Sequence, residues 1–414
     1  MVNYDLAIIG AGPAGSLAAW EAAQTSGISI SIFEEHLQVG KPPHCSGLIS
    51  MDGFLNLGLN MHDIRRKLSY NMISRAKFIS PNYISVEINR GPDSMIVLDR
   101  VALDQYLATR AQKLSCEYRL GNRVKKIKFD GSNWTLFSQN SGKRKFCCNL
   151  LISAEGGHCR LAKSIGLPTP SKKWLFPAIQ FEFERVKDIE TDCVEIYFGQ
   201  KYAPGFFGWF IPITENSARL GIAVGPWNKI KTRFFMKKFL KKHPSLCKRL
   251  RKAKLTKTYG GFVPATGPVK KTYYYNFMTV GDAAGQSKAT TGGGLNIGGF
   301  CGRLAGLMAR KIYSEEVEVS IGCREYQRKW QTIFEPDLTL MKLFRRMMTF
   351  LPDKTWDSII QIAKETDIGE SMKSTSVDLH GLGLLRYALT PRVFISGLHL
   401  VPQTAASFLQ GLLF

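Results

Sequence analysis

Three glycines in the run Gly10-Ala-Gly12-Pro-Ala-Gly15 stand where a chain could cradle a pyrophosphate. Gly10 permits a tight turn, Gly12 lets the backbone approach the phosphates, and Gly15 allows a following helix to pack closely on the preceding strand. The helix N-terminus would then turn N–H groups and positive potential toward the anion. Glu34, nineteen residues after Gly15, could accept hydrogen bonds from ribose hydroxyls. This chemistry needs a strand before the glycines and a helix after them, and both are legible. YDLAII at 4–9 is a short apolar run, PAGSLAAWEAAQTSG is Ala-rich and closed by Gly27, and ISISIF at 28–33 is rich in β-branched residues. The three make a β-α-β unit for a dinucleotide, either NAD or FAD.

Two later segments favour the longer FAD. SAEGGHCRLAK at 153–163 and VGDAAGQSKATTGGGLN at 280–296 each place an acid and glycines after a further strand-like run. Asp282 could bond the ribityl or pyrophosphate portion of such a cofactor. The Gly292-Gly293-Gly294 run opens a helical segment whose N–H groups could face an electron-rich flavin ring and stabilise negative charge there on reduction.

The rest of the chain must position these loops. Its 414 residues are 44% hydrophobic and 11% aromatic, which excludes disorder, and 38 Gly with 18 Pro excludes a collagenous or low-complexity chain. Nine cysteines without a CxxC pair encode neither a disulfide framework nor a zinc site, so no metal is expected. The N-terminus enters a strand at once, without a signal peptide's basic and apolar regions, and a cytoplasmic, reducing location is expected. Helical periodicity returns at 101–114, and 149–157 reads as a buried strand ending in a turn. From about 175 to 225 short strands follow one another (FEFER, VEIYFG, GWFIPI, ARLGIAVG) before the chain returns to the first domain at FMTVGDAAG. The predicted fold class is α/β. A Rossmann-type FAD-binding domain (1–70, 99–165 and 270–314) is interleaved with a sheet-rich substrate domain (71–98 and 166–269), and 315–414 is helical.

On these residues the sequence resembles the geranylgeranyl reductase family, within a broader group of flavoproteins that includes aromatic hydroxylases and flavin halogenases. The resemblance covers about 1–310 and rests on GAGPAG at 10–15, HCSGL at 44–48, LDR at 98–100, AEGG at 154–157, FGWFIP at 207–212, GGFVPATGP at 260–268 and GDAAG with TGGGL at 281–295. It implies FAD contacts at Gly10, Gly12, Gly15, Glu34, Cys45, Ser46, Leu48, Arg100, Val124, Asp282, Gly294 and Leu295. It also implies a prenyl pocket lined by Phe207, Trp209, Ile211 and Pro212, and a flavin-side role for Cys45 as a proton donor, with His44 as a further candidate. Two departures stand out: Glu155 replaces the usual Asp, and Ala289 replaces a Pro common beside the flavin ring. The implied activity is FAD-dependent reduction of carbon–carbon double bonds in geranylgeranyl chains, on isoprenoid (archaeal-type ether) phospholipids. A flavin-dependent monooxygenase or halogenase is the alternative. With one β-α-β fingerprint in the chain, electrons must come from a transiently docked donor, a ferredoxin or NAD(P)H.

Charge bears on partners. The chain carries 56 Lys and Arg against 33 Asp and Glu, a formal charge of +23, and thirteen of those cations fall between Lys229 and Lys257. Phe234, Phe235 and Phe239 in that run have helical spacing, which predicts an amphipathic helix with a basic face rather than stacking platforms, so no nucleic acid is expected. Val393 to Phe414 contains no charged side chain, yet Pro402 and several polar residues argue against a spanning helix. Both segments predict peripheral contact with an anionic membrane surface.

Overall fold

The strand Val2–Ile9 turns from half-buried to fully buried as it approaches the glycine loop, as a central parallel strand covered on both faces must. The computed structural model describes residues 2–25, 27–43, 45–139, 145–228 and 230–413. Among these, eight strands form the first sheet, in the order Tyr273–Tyr274, Phe277–Thr279, Phe146–Ser153, Val2–Ile9, Ile30–Phe33 and Glu117–Arg119, with Trp134–Ser138 and Val124–Phe129 added beside Phe146–Ser153. Phe277–Thr279 through Glu117–Arg119 run parallel. The helices Pro13–Ala22 and Leu295–Tyr313 pack against each other over this sheet, so both expected cofactor loops end at one edge of it.

The second sheet has seven strands among the described residues, in the order Lys254–Pro264, Leu175–Glu184, Ser217–Ala223, Gly208–Pro212, Cys193–Tyr197, Arg75–Ile79 and Ser85–Asn89. Its side chains alternate between faces. Phe181, Phe210, Leu220 and Ile222 pack beneath the helix Thr232–Lys242, while Ala76, Val194, Ile196, Trp209 and Ile211 face a cavity between the sheets. A three-stranded sheet of Leu48–Ser50, Met95–Leu98 and Ser69–Ile73 lies off these two.

The α/β architecture read from the sequence is the one observed, with one correction in the basic run. Helices span Thr232–Lys242 and Pro244–Leu250, but Lys254–Pro264 is an edge strand. Pro244 starts a new helix where the first ends, and Thr256, Thr258 and Tyr259 in KLTKTY favour a strand, which pairs with Leu175–Glu184. Phe235, Met236 and Phe239 face the core, whereas Phe234 is 54% exposed. Arg249 is buried in an ion pair with Glu195 at 2.7 Å, so one cation of the run is structural.

The C-terminal part is helical: Val319–Thr349, Asp353–Glu365, Ile368–Lys373, Gly381–Ala388, Pro391–Gly397 and Val401–Leu413. The first of these is tied to the main sheet, where Tyr326 Oη donates to the Thr279 carbonyl at 2.7 Å and Trp330 Nε1 donates to Thr272 Oγ1 at 2.9 Å. Among the described residues no helix is long and apolar enough to cross a membrane.

Candidate functional site

Gly10 has φ of +100°, and a β-carbon there would sit 2.3 Å from the Ala154 carbonyl oxygen; one at Gly15 would sit 2.0 Å from the Gly10 oxygen. Any side chain at either place breaks the turn. At Gly12 a β-carbon would meet nothing within 4 Å. This glycine keeps open the space in front of the helix N-terminus, where a phosphate would approach.

Glu34 follows immediately after the strand Ile30–Phe33. Its Oε2 accepts the Ala11 N–H at 2.9 Å, and its Oε1 accepts the His36 N–H at 2.9 Å with the His36 ring Nδ1 at 2.7 Å. The carboxylate thus fastens the glycine loop as well as facing the cleft. Glu155, the departure noted above, accepts from Ser153 Oγ and the Leu161 N–H, so it organises the next turn.

Asp282 faces the same cleft from the second glycine segment. Burial pushes its carboxyl up to about 6, against the opposing pull of Arg100, and no described residue donates a hydrogen bond to it. A partly buried acceptor without a donor is costly unless a ligand supplies one, as a ribityl or ribose hydroxyl would. Among the described residues the buried Asn296 Oδ1 atom lacks a partner as well. Open space before Gly12 and unsatisfied acceptors at 282 and 296 fit a long dinucleotide.

Between these loops, Cys45 Sγ lies 3.4 Å from the Gly47 N–H and within hydrogen-bonding reach of the Arg100 guanidinium. Burial works against the charge of Arg100, yet Asp104 and Cys45 hold its pKa above the ordinary arginine value. Arg219, from the second sheet, donates to the Ser46 carbonyl at 2.7 Å and the Leu98 carbonyl at 3.2 Å, so the strand Ser217–Ala223 positions the Cys45–Leu48 segment. His44 lies outside the described residues.

All of Gly10, Gly12, Gly15, Glu34, Cys45, Ser46, Leu48, Arg100, Val124, Asp282, Gly294 and Leu295 border one cavity of about 1590 Å³. Phe207, Trp209 and Ile211 line the same cavity. Pro212 does not. It follows Ile211 on a strand, so it shares the opposite face with Phe210, and its carbonyl accepts from Asn71 Nδ2 at 3.2 Å.

Sequence reasoning missed two parts of the site. The far lobe is apolar and built largely by the C-terminal helices, through Met347, Leu351, Trp356, Ile360, Met372 and Leu400 among others. The helices Val319–Thr349 and Asp353–Glu365 bury apolar stripes, a pattern that does not distinguish core from cavity wall. The second part is a buried polar group on the glycine-run side. Lys288 Nζ pairs with Asp378 Oδ1 at 2.7 Å, Asn296 Nδ2 donates to Asp378 Oδ2 at 2.8 Å, and Ser50 Oγ also donates to Asp378. Thr290 Oγ1 lies 2.7 Å from His380 Nε2, and burial pulls the His380 ring down to about 4. Asp378 and His380 sit ninety residues from Lys288 and Thr290, and Asp378 far more from Ser50, separations no local signal reports.

Residues 3–255 match a family of proteins described as FAD binding domain. This chain belongs to the FAD-binding family. FAD is accordingly its cofactor, and the open glycine loop and orphaned acceptors are where it fits. Digeranylgeranylglycerophospholipid reductase 2 of Methanopyrus kandleri is 29% identical to this FAD-binding chain over 358 residues, covering 84% of this chain and 88% of the relative. The digeranylgeranylglycerophospholipid reductase of Methanocaldococcus jannaschii is 28% identical over 378 residues, covering 89% and 93%. Among solved structures, a geranylgeranyl bacteriochlorophyll reductase-like protein of Thermoplasma acidophilum superposes with a TM-score of 0.82 at 21% identity, covering 97% of this chain and 100% of that one. A flavin-dependent brominase superposes with a TM-score of 0.71 at 16% identity, covering 94% and 98%. At those identities the structural likeness is one of fold.

Proposed function

We propose that this protein is an FAD-dependent reductase that saturates the carbon–carbon double bonds of geranylgeranyl chains carried on isoprenoid ether phospholipids. The observation that carries this reading is the continuity of the glycine-lined cleft with an apolar lobe inside a single cavity. The curated relatives, named for reduction of such a lipid, support it.

Gly10, Gly12 and Gly15 would hold the pyrophosphate, Glu34 the ribose, Asp282 the ribityl or pyrophosphate hydroxyl region, and Cys45, Ser46, Leu48, Arg100, Val124, Gly294 and Leu295 the remaining contacts. FAD, when bound, supplies hydride to one alkene carbon. The chain's part is to hold the alkene in a dry wall of Phe207, Trp209 and Ile211 and to deliver a proton to the neighbouring carbon. Cys45 Sγ carries that proton, and Arg100, facing both Cys45 and Asp104, stabilises the thiolate left behind. The thiolate regains a proton from water before the next turnover. Electrons enter from a ferredoxin or NAD(P)H docking transiently.

Peripheral contact with an anionic membrane completes the reading, because the segment 393–404 both lines the cavity and exposes Phe394, Ile395, Leu398 and Val401. Anaerobic incubation of the dithionite-reduced protein with a geranylgeranyl ether phospholipid tests the activity. The expected product gains about 2 mass units per double bond reduced. No gain without oxygen overturns the reading, and product that appears only with oxygen favours the monooxygenase or halogenase alternative.

A further inference from the structure

Lys288 to Thr291 form a β-turn in which the Thr291 N–H donates to the Lys288 carbonyl at 3.2 Å; the Gly292 N–H reaches the same oxygen at 2.6 Å. The second position of such a turn favours proline, whose ring presets φ, but here it is Ala289. Alanine leaves φ unset, with only its buried methyl packed in the core, and the glycines that follow add freedom of their own. Something else must hold it.

That group is Arg345, on the helix Val319–Thr349. Its Nε donates to the Ala289 carbonyl at 2.9 Å, its Nη2 donates to the Thr290 carbonyl, and its Nη1 lies 3.5 Å from the Gly205 oxygen. The side chain is 1% exposed, and its guanidinium stacks 4.2 Å over the Phe206 ring. Among the described residues no carboxylate pairs with it. A buried cation without an anion is a poor choice for stability alone, and here its donors converge on the two central carbonyls of one turn. The flanking side chains are fastened too, Lys288 to Asp378 and Thr290 to His380.

We propose that Arg345 is a positioning residue, which fixes the Lys288–Thr291 turn and through it sets the Gly292–Gly294 backbone against the flavin. The inference rests on the reading that this glycine run abuts FAD. It assigns the long C-terminal helix a part in cofactor geometry that it plays without touching the cofactor.

The test compares wild type, Arg345→Met and the double variant Arg345→Met/Ala289→Pro, each loaded with FAD, by FAD titration and by visible circular dichroism of the bound flavin. The Ala289 N–H makes no hydrogen bond among the described residues, so proline removes none. Arg345→Met should bind FAD at least tenfold more weakly with an altered dichroism, and proline at 289 should restore most of both. A folded Arg345→Met protein with unchanged Kd and dichroism overturns the proposal. So does weakened binding that proline fails to restore, since the loss then lies outside the turn. Should Arg345→Met not fold, a double variant that regains fold and flavin supports the proposal, and one that stays unfolded overturns it. Wild-type protein that takes up no flavin overturns the underlying reading as well, which separates the two failures.

Discussion

Trp209 lies flat across Gly221, its register partner on the neighbouring strand. A β-carbon at 221 would fall 2.1 Å from Trp209 Cε2 and 2.4 Å from Nε1, and Nε1 donates to Gln180 Oε1 at 2.8 Å. Glycine admits the indole and the amide aims it, so the ring forms a flat wall of the cavity. Gly221→Val must lift that ring into the cavity, the space proposed for the alkene. FAD binding should persist while KM for the geranylgeranyl lipid rises about tenfold, or about 1.4 kcal/mol. Steady-state kinetics at fixed flavin occupancy reads this, and an unchanged KM would show that the indole is not part of the lipid wall.

Asp282 gives the apo-protein a pH signature. Its carboxyl titrates near 6 when folded, because of burial, against an ordinary value of 3.8. Between these values the folded chain holds a proton that the unfolded chain has lost, so this group's contribution to stability falls as pH rises from about 4 to about 6 and then levels off. Asp282→Asn removes that loss. The variant apo-protein should match wild type near pH 4 and exceed it at pH 7 by no more than about 2 kcal/mol, given partial solvent access. Thermal melts of both proteins at several pH values give the difference directly. Equal gaps at pH 4 and pH 7 would exclude a shifted carboxyl at 282.

The cofactor half of the molecule was legible because its signals are local. A glycine triplet between two apolar runs, or Asp282 beside Gly281, reports its own turn within a few residues, and the strands Val2–Ile9, Phe146–Ser153 and Phe277–Thr279 follow from composition. The lipid half was legible only in part. Trp209 and Ile211 alternate as a strand requires, yet the same alternation turns Pro212 away, a consequence the motif alone hides. Lys254–Lys257 read as part of the basic helix because its charge continues the run, and only pairing with Leu175–Glu184 shows it to be strand. Arg345, Asp378 and His380 act on residues far away in sequence and carry no spacing signal at all.

Cys45 should separate chemistry from binding. Its thiol sits on a segment held by Arg219 through the Ser46 carbonyl, so Cys45→Ala removes the proposed proton donor at the cost of only the 3.4 Å contact with the Gly47 N–H. FAD affinity should stay within about twofold, whereas the rate of alkene reduction should fall by about 100-fold, the usual scale for losing a general acid. Single-turnover reduction of the lipid by pre-reduced enzyme measures the chemical step alone. A rate within threefold of wild type would move the proton source elsewhere in the cavity wall, which also holds the Lys288–Asp378 pair.

The C-terminal segment sets two faces at once, which decides how the proposed membrane contact must be tested. Val393 and Leu400 line the cavity, whereas Ile395 and Leu398, 67% and 50% exposed, point outward between them. Arg386 and Arg392 are exposed beside them and would meet anionic headgroups. Deleting 393–414 would therefore open the lipid lobe as well as remove the outer face, and would confuse the two roles. Ile395→Ser with Leu398→Ser changes only the outer face. Stability should move by less than about 0.5 kcal/mol per site, as at exposed positions generally, while co-sedimentation with vesicles rich in anionic lipid should drop several-fold. Turnover of lipid presented in detergent should hold at the wild-type rate, because the cavity wall is untouched. Vesicle binding equal to wild type would remove this face as the membrane contact and leave the exposed cations of 231–257 to account for any attraction.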